Sequence, residues 1–148
     1  MQRPIHAQII VPCLNEESSI PAFLSELAQF RQNLEMSQVR FDMLFVDNGS
    51  IDLSYKLLES HCSQFPGDRL IRCAARGYGA ALKMGFENST AELLGFTDLD
   101  CTYPLSKFID LYNFLANNPE TDMVIANRMT KQSKMPKIRT IGNKLYTS

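Results

Sequence analysis

Residues 7–30, AQIIVPCLNEESSIPAFLSELAQF, open on an apolar run, pass through a polar turn and continue at helical spacing. The run 7–12 (AQIIVP) is short, rich in β-branched residues and almost without polar interruption, as in a strand covered on both faces. Beyond the turn, Ile20, Phe23, Leu24, Leu27 and Phe30 recur at intervals that place them on one face of a helix. A strand leading directly into an amphipathic helix is half of a βαβ unit, and its repetition builds a parallel sheet.

The pattern repeats. Further strands are expected at 41–47 (FDMLFVD), 69–74 (RLIRCA), 93–98 (LLGFTD) and 122–127 (DMVIAN). Leu53, Leu57 and Leu58 mark a second helix, 78–88 a third, and 105–116 a fourth, entered through Pro104, whose missing N–H costs little at a helix start. Ser19 and Ser50 suit helix N-caps, because a short side-chain oxygen can accept from the unpaired N–H groups of a first turn. The basic stretch 129–137 reads as a loop, and Ile138, Ile141 and Leu145 then share one side of a further amphipathic segment. The expected fold class is α/β with a mostly parallel central sheet, all in one domain over 1–148.

Composition narrows the partners. With 148 residues, 45% hydrophobic and 21% charged, the chain can bury one core. A net charge of −1 and a pI near 6.1 give no polyanion-binding surface, which argues against nucleic acid. Cys13, Cys62, Cys73 and Cys101 form no C-x-x-C pair and His6 and His61 lie far apart, so zinc is disfavoured and the thiols read as small apolar groups in a reducing, cytoplasmic compartment. The start MQRPIHAQIIVP lacks the basic segment and apolar core of a signal peptide, and no run reaches the ~18 apolar residues of a membrane span.

In a doubly wound parallel sheet, ligands bind at the carboxyl ends of the strands. The expected strands end in Pro12-Cys13-Leu14-Asn15-Glu16-Glu17, Asp47-Asn48-Gly49-Ser50, Asp98-Leu99-Asp100 and Asn127-Arg128. If the fourth strand persists, Asp98 and Asp100 share a face and offer two hard oxygen ligands to Mg²⁺ or Mn²⁺, whose other positions substrate phosphates and water can fill. The pair also reads as two solvated turn residues. Asp47 is equally a turn cap, and one of Glu16 and Glu17 an exposed charge that the helix dipole favours.

Gly77-Tyr78-Gly79-Ala80-Ala81-Leu82 resembles a dinucleotide fingerprint but follows the third strand rather than the first and ends in Leu82, which disfavours an NAD enzyme. Small residues here suit a helix packed close to the sheet. A P-loop and a G-x-S-x-G elbow are both missing from the sequence.

Read in order, IIVPCLNEE, LFVDNGS, RGYGAALKMGFENST, FTDLDCTYP and VIANRM resemble the blocks of family 2 glycosyltransferases. DLDCTYP and the tail MPKIRTIGNKLYTS look most like the polyprenyl-phosphate glycosyltransferases, including the dolichyl-phosphate group. The resemblance implies a three-layer, Rossmann-like GT-A fold, truncated at the C-terminus because family members continue well past residue 148.

It implies an inverting hexosyltransferase moving a sugar from a nucleotide-sugar donor to a polyprenyl-phosphate acceptor, with Mg²⁺ or Mn²⁺. Pro12, Leu14, Glu16, the backbone near Phe45 and the Asp47 carboxylate would line the nucleoside. Asp98 and Asp100, with the Leu99 backbone, would meet metal and diphosphate, and Arg128 the phosphates. The alternative is a non-catalytic or truncated nucleotide-sugar-binding module without an acceptor site. Leu14 departs from a frequent aromatic and Asn48 from a frequent second aspartate. Lys131, Lys134, Lys137, Arg139 and Lys144 suit either a solvated loop or peripheral contact with anionic lipid at the cytoplasmic face of a membrane.

Overall fold

The structure, a computed structural model, describes residues 6–34 and 40–126. The chain divides into a unit Met1–Ser106 and a unit Lys107–Ser148. The first carries β1 (His6–Cys13), α1 (Ile20–Leu34), β2 (Arg40–Asp47), α2 (Ser54–Gln64), β3 (Arg69–Arg72), α3 (Tyr78–Glu87) and β4 (Leu93–Phe96). Among the described residues the second carries α4 (Lys107–Asn117).

The four strands pair in parallel in the order β3-β2-β1-β4. β1 and β2 are apolar along nearly their whole length because both faces are covered. On one face Ile10, Leu44 and Val46 pack with Cys73 and with Ala81 of α3. A Cβ placed on Gly85 would fall against the Ile10 side chain, so α3 lies as near to β1 as a helix can. On the other face Phe45 meets Phe23 of α1 edge-on at 6.2 Å, and Phe30 meets Phe41 at 5.3 Å. Each fully buried side chain of this kind contributes about 1.5–3 kcal/mol.

Several sequence expectations shift. The stripe of α2 is Ser54, Leu58 and His61, while Leu53 stays exposed. The sequence hid this because His61 is buried through a polar partner: its Nε2 bonds Asp68 Oδ2 at 2.6 Å, and Arg31 donates to Asp68 Oδ1 at 2.5 Å. Burial alone would raise the Asp68 pKa, but the bonds from His61, Arg31 and the Met43 N–H outweigh it and hold the carboxyl below its usual range.

Residues 122–126 of the expected fifth strand carry no regular structure, and Met123 and Ile125 are 73% and 78% exposed. A strand needs partners for its backbone groups and cover for its apolar side chains, and the described part of this segment has found neither. No helix among the described residues is long and apolar enough to cross a membrane.

Candidate functional site

The strand order places a topological switch beside β1. Chain leaving β1 runs toward β2, whereas chain leaving β3 crosses the sheet through α3 to reach β4 on the other side of β1. The loops after β1 and β4 therefore diverge, the position at which open α/β sheets commonly bind ligands. Pro12, Asp47 and the Asp98 loop all lie at this edge, as the ends of their strands require.

The loops after β1 and β2 are laced together. Asn15, whose φ is +55°, and Glu16 donate their N–H groups to Ser50 Oγ at 3.0 Å and Ser54 Oγ at 2.8 Å. In return Asn15 Oδ1 accepts the Ile51 N–H at 2.9 Å and Glu17 Oε2 the Leu53 N–H at 2.9 Å. Ser50 is thus a loop tie and not the N-cap of α2; Glu17 and Asp52 take the orphan N–H groups of Leu53 and Ser54 instead. This separates the two glutamates, since Glu16 Oε2 accepts the Ser19 hydroxyl at 2.7 Å and Glu17 anchors a helix start. Cys13 lies under these loops, and burial pushes its thiol above its ordinary pKa, with hydrogen bonds from Ser50 and Ser54 pulling it down. A protonated, buried thiol is no nucleophile.

Past this lacing lies a pocket of about 270 Å³ lined by Asp47, Gly49, Ser50, Arg72, Cys73 and Ala74. Asp47 is 2% exposed; Oδ1 accepts the Ser50 N–H at 3.2 Å, and Oδ2 makes no hydrogen bond among the described residues. Gly49 turns here at φ +89°, a conformation that strains any L side chain. Arg72 ends β3 with its guanidinium carbon 3.9 Å from the Tyr55 ring centroid. A cation and a buried carboxylate thus share one small concavity.

A hydrogen-bond relay ties this pocket to the aspartate pair. Asn48 Nδ2 donates to Ala75 O at 2.6 Å and, more weakly, to Cys73 O at 3.4 Å, while its Oδ1 accepts the Gly77 N–H at 2.9 Å. An amide both donates and accepts, and an ionised aspartate could only accept, which accounts for asparagine here. The next residue, Tyr78, donates its hydroxyl to Asp98 Oδ1 at 2.8 Å.

β4 ends at Phe96, so Asp98 and Asp100 stand in a turn and not on a common strand face. Leu99 is buried between them and Cys101 takes φ +54°, while Asp100 Oδ1 accepts the Thr102 N–H at 2.9 Å. Anchored by Leu99, the turn presents two carboxylates toward solvent at the sheet edge.

The profile of the family described as "Glycosyl transferase family 2" matches residues 8–146. The chain belongs to this family. It is 34% identical over 106 residues to an undecaprenyl-phosphate 4-deoxy-4-formamido-L-arabinose transferase of Pseudomonas fluorescens, covering 68% of this chain and 30% of that protein. It is 27% identical over 97 residues to human dolichyl-phosphate β-glucosyltransferase, covering 62% of this chain and again 30% of the relative. The chain thus spans less than a third of the length of these relatives.

Among solved structures, Staphylococcus aureus TarS in complex with UDP superposes with TM-score 0.64 at 18% identity, covering 86% of this chain and 40% of that one. The mannosyltransferase PcManGT from Pyrobaculum calidifontis, in complex with GDP-Man and Mn²⁺, superposes with TM-score 0.62 at 23% identity, covering 79% and 34%. At such identities these likenesses establish the fold, which is the GT-A fold of family 2 glycosyltransferases.

The residues expected at the site are dispersed unevenly. Among the described residues Asp47, alone of them, lines the pocket directly. Pro12 pairs with Val46 inside the sheet, and Leu14 stands 51% exposed at the rim. Phe45 belongs to the core: its ring lies against Phe23 and His61 and its backbone pairs with Val11 and Leu70. Arg128 lies outside the described residues. Arg72, which lines the pocket, Tyr55, whose ring meets it, and Tyr78, which bonds Asp98, were not singled out in the sequence, because no spacing marks an arginine at a strand end or a tyrosine in a helix's first turn for such contacts.

Asp98 and Asp100 suit a hard divalent ion that takes one or two protein carboxylates and completes its shell from phosphate and water. Among the described residues no cluster of three or more His, Cys, Asp or Glu side chains could enclose a metal alone.

Proposed function

We propose that the protein transfers a sugar, with inversion, from a nucleoside-diphosphate sugar to a polyprenyl phosphate, and that this chain supplies the donor site. The observation that carries the reading is Asp47: a buried carboxylate with a free oxygen lines a pocket whose wall is tied through Asn48, Gly77 and Tyr78 to Asp98. Asp47 accepts an N–H of the nucleoside, and Arg72 donates beside it through its planar fork. The Leu99 backbone and Asp100 complete the diphosphate end. Arg128, which lies outside the described residues, suits phosphate binding through its planar donor fork.

Asp98 and Asp100 would hold a divalent ion, which would supply positive charge to offset that of a departing nucleoside diphosphate. Tyr78, by donating to Asp98, fixes the carboxylate's orientation and leaves its second oxygen for a ligand. The acceptor places little demand on the protein's bases: a phosphate monoester with a second pKa near ~6 is largely a dianion at neutral pH. That suits a site where both histidines are engaged with aspartates elsewhere, His6 with Asp42 and His61 with Asp68. The relatives named for dolichyl- and undecaprenyl-phosphate support the acceptor class. The basic residues between Lys131 and Lys144 favour contact with a lipid surface.

A thermal-shift panel of GDP-, UDP- and CDP-sugars, with and without Mn²⁺, tests the donor half, because a ligand bound only by the native state raises the midpoint with concentration above Kd. One nucleotide class should stabilise the chain, and more so with Mn²⁺. A panel in which none does so at millimolar concentration overturns the reading.

A further inference from the structure

Among the described residues Arg72 is the one cation lining the pocket beside Asp47, and its guanidinium makes no hydrogen bond and no ion pair with any of them. A long side chain in that position is normally free to sample many rotamers, at an entropic penalty when a ligand finally fixes it. What restrains it here is the Tyr55 ring, 3.9 Å from the guanidinium carbon. The ring is itself well founded. Tyr55 is the second residue of α2, whose first turn is pinned by Glu17 on the Leu53 N–H, by Asp52 on the Ser54 N–H, and by the Ser54 hydroxyl on the Glu16 N–H. The laced loops therefore hold the platform, and the platform holds the arginine.

We infer that Tyr55 is a positioning residue for donor binding: its π face pre-orients the Arg72 guanidinium at the wall of the Asp47 pocket, leaving its in-plane N–H donors available to a nucleoside diphosphate. The inference rests on the donor-site reading of that pocket and adds to it the residue that preorganises the cation. Tyr55 touches no substrate; it acts through Arg72 alone, by a cation–π contact that a ring without a hydroxyl retains and an aliphatic side chain does not. Preorganisation of this kind raises affinity without adding a contact.

The test is calorimetric titration of the whole chain with UDP, GDP and CDP in the presence of Mn²⁺, using whichever binds tightest. Tyr55→Leu and Tyr55→Met should weaken binding about three- to tenfold, and Tyr55→Phe should stay within about twofold of the parent. With two aliphatic variants, a folding failure in one, seen by circular dichroism, leaves the other to decide. In an Arg72→Gln background, Tyr55→Leu should have no further effect, since the group it orients is gone. Equal affinity for parent and aliphatic variants, or the same loss in both backgrounds, would overturn the inference, as a merely structural tyrosine acts regardless of residue 72. If Asp47→Asn abolishes binding while Tyr55→Leu leaves it intact, the donor site stands and the positioning role alone falls. If the parent binds none of the three nucleotides, both fall together.

Discussion

Changing Asn48 to aspartate alters one atom and tests the relay between the pocket and the aspartate turn. In the native protein Asn48 is buried, its amide nitrogen 2.6 Å from Ala75 O and its amide oxygen 2.9 Å from the Gly77 nitrogen. Asn48→Asp keeps the acceptor for Gly77 but removes the donor, leaving the Ala75 carbonyl with only the weak Cys73 thiol donor and facing a carboxylate oxygen. Losing one part-buried hydrogen bond costs about 0.5–1.5 kcal/mol, and the repulsion places the variant at about 1–2 kcal/mol. At roughly 2–4 °C per kcal/mol for a chain of this size, Tm should fall by about 2–8 °C at neutral pH. Burial and the facing carbonyl raise the variant carboxyl's pKa in the folded state, so its deficit is fully present above that pKa. Compared with the parent at the same pH, the deficit shrinks on acidification, because the protonated acid regains a donor for Ala75. Differential scanning calorimetry of both proteins between pH 5 and 8 measures this. A variant within about 1 °C of the parent at neutral pH would refute the clamp.

Three further outcomes follow from the same geometry. Asp98→Asn or Asp100→Asn should remove the Mn²⁺ dependence of donor binding in titration calorimetry while leaving the fold intact by circular dichroism; unchanged Mn²⁺-dependent affinity in both makes the pair structural. Asp68→Ala leaves Arg31 and His61 without their buried partner and should cost about 3–5 kcal/mol in urea unfolding. The Asp68 pKa is lowered on folding, so its contribution is complete above the ordinary value of 3.8 and is lost as pH falls through the folded value; the variant should therefore show a shallower acid limb. Gly85→Ala would press a methyl against Ile10 and should destabilise by about 1–3 kcal/mol, whereas Gly79→Ala meets nothing within 4 Å and should not.

The parts of the fold that were legible are those written in apolar periodicity. β1, β2, α1 and α3 stand within a residue or two of their expected spans, except that α1 runs on to Leu34, because each has a continuous buried face. The misreadings have a common origin in polar partners that lie distant in sequence. Leu53 looked like the first member of the α2 stripe, but Ser54 and His61 are buried in its place by bonds to Glu16 and Asp68. β3 and β4 end two residues early because their last expected residues turn into the edge loops, where Cys73 packs beneath the pocket and Leu99 anchors the aspartate turn. Asp47, Asp98 and Asp100 were expected from their places at strand ends; Asp47 lines the pocket, and the other two stand past the end of β4. Arg72 and Tyr55 come together only through the fold, and no spacing in the sequence joins residues 55 and 72.

The most direct test is a ¹⁵N–¹H NMR titration of the whole chain with the nucleotide that stabilises it, first with Mg²⁺ and then with trace Mn²⁺. The account predicts shifts at Gly49, Ser50, Cys73 and Ala74 around Asp47, and paramagnetic broadening centred on Asp98 to Cys101 that reaches Tyr78. Shifts clustered instead around Gly67 and Asp68 at the start of β3, or broadening that leaves the Asp98 turn sharp, would contradict it.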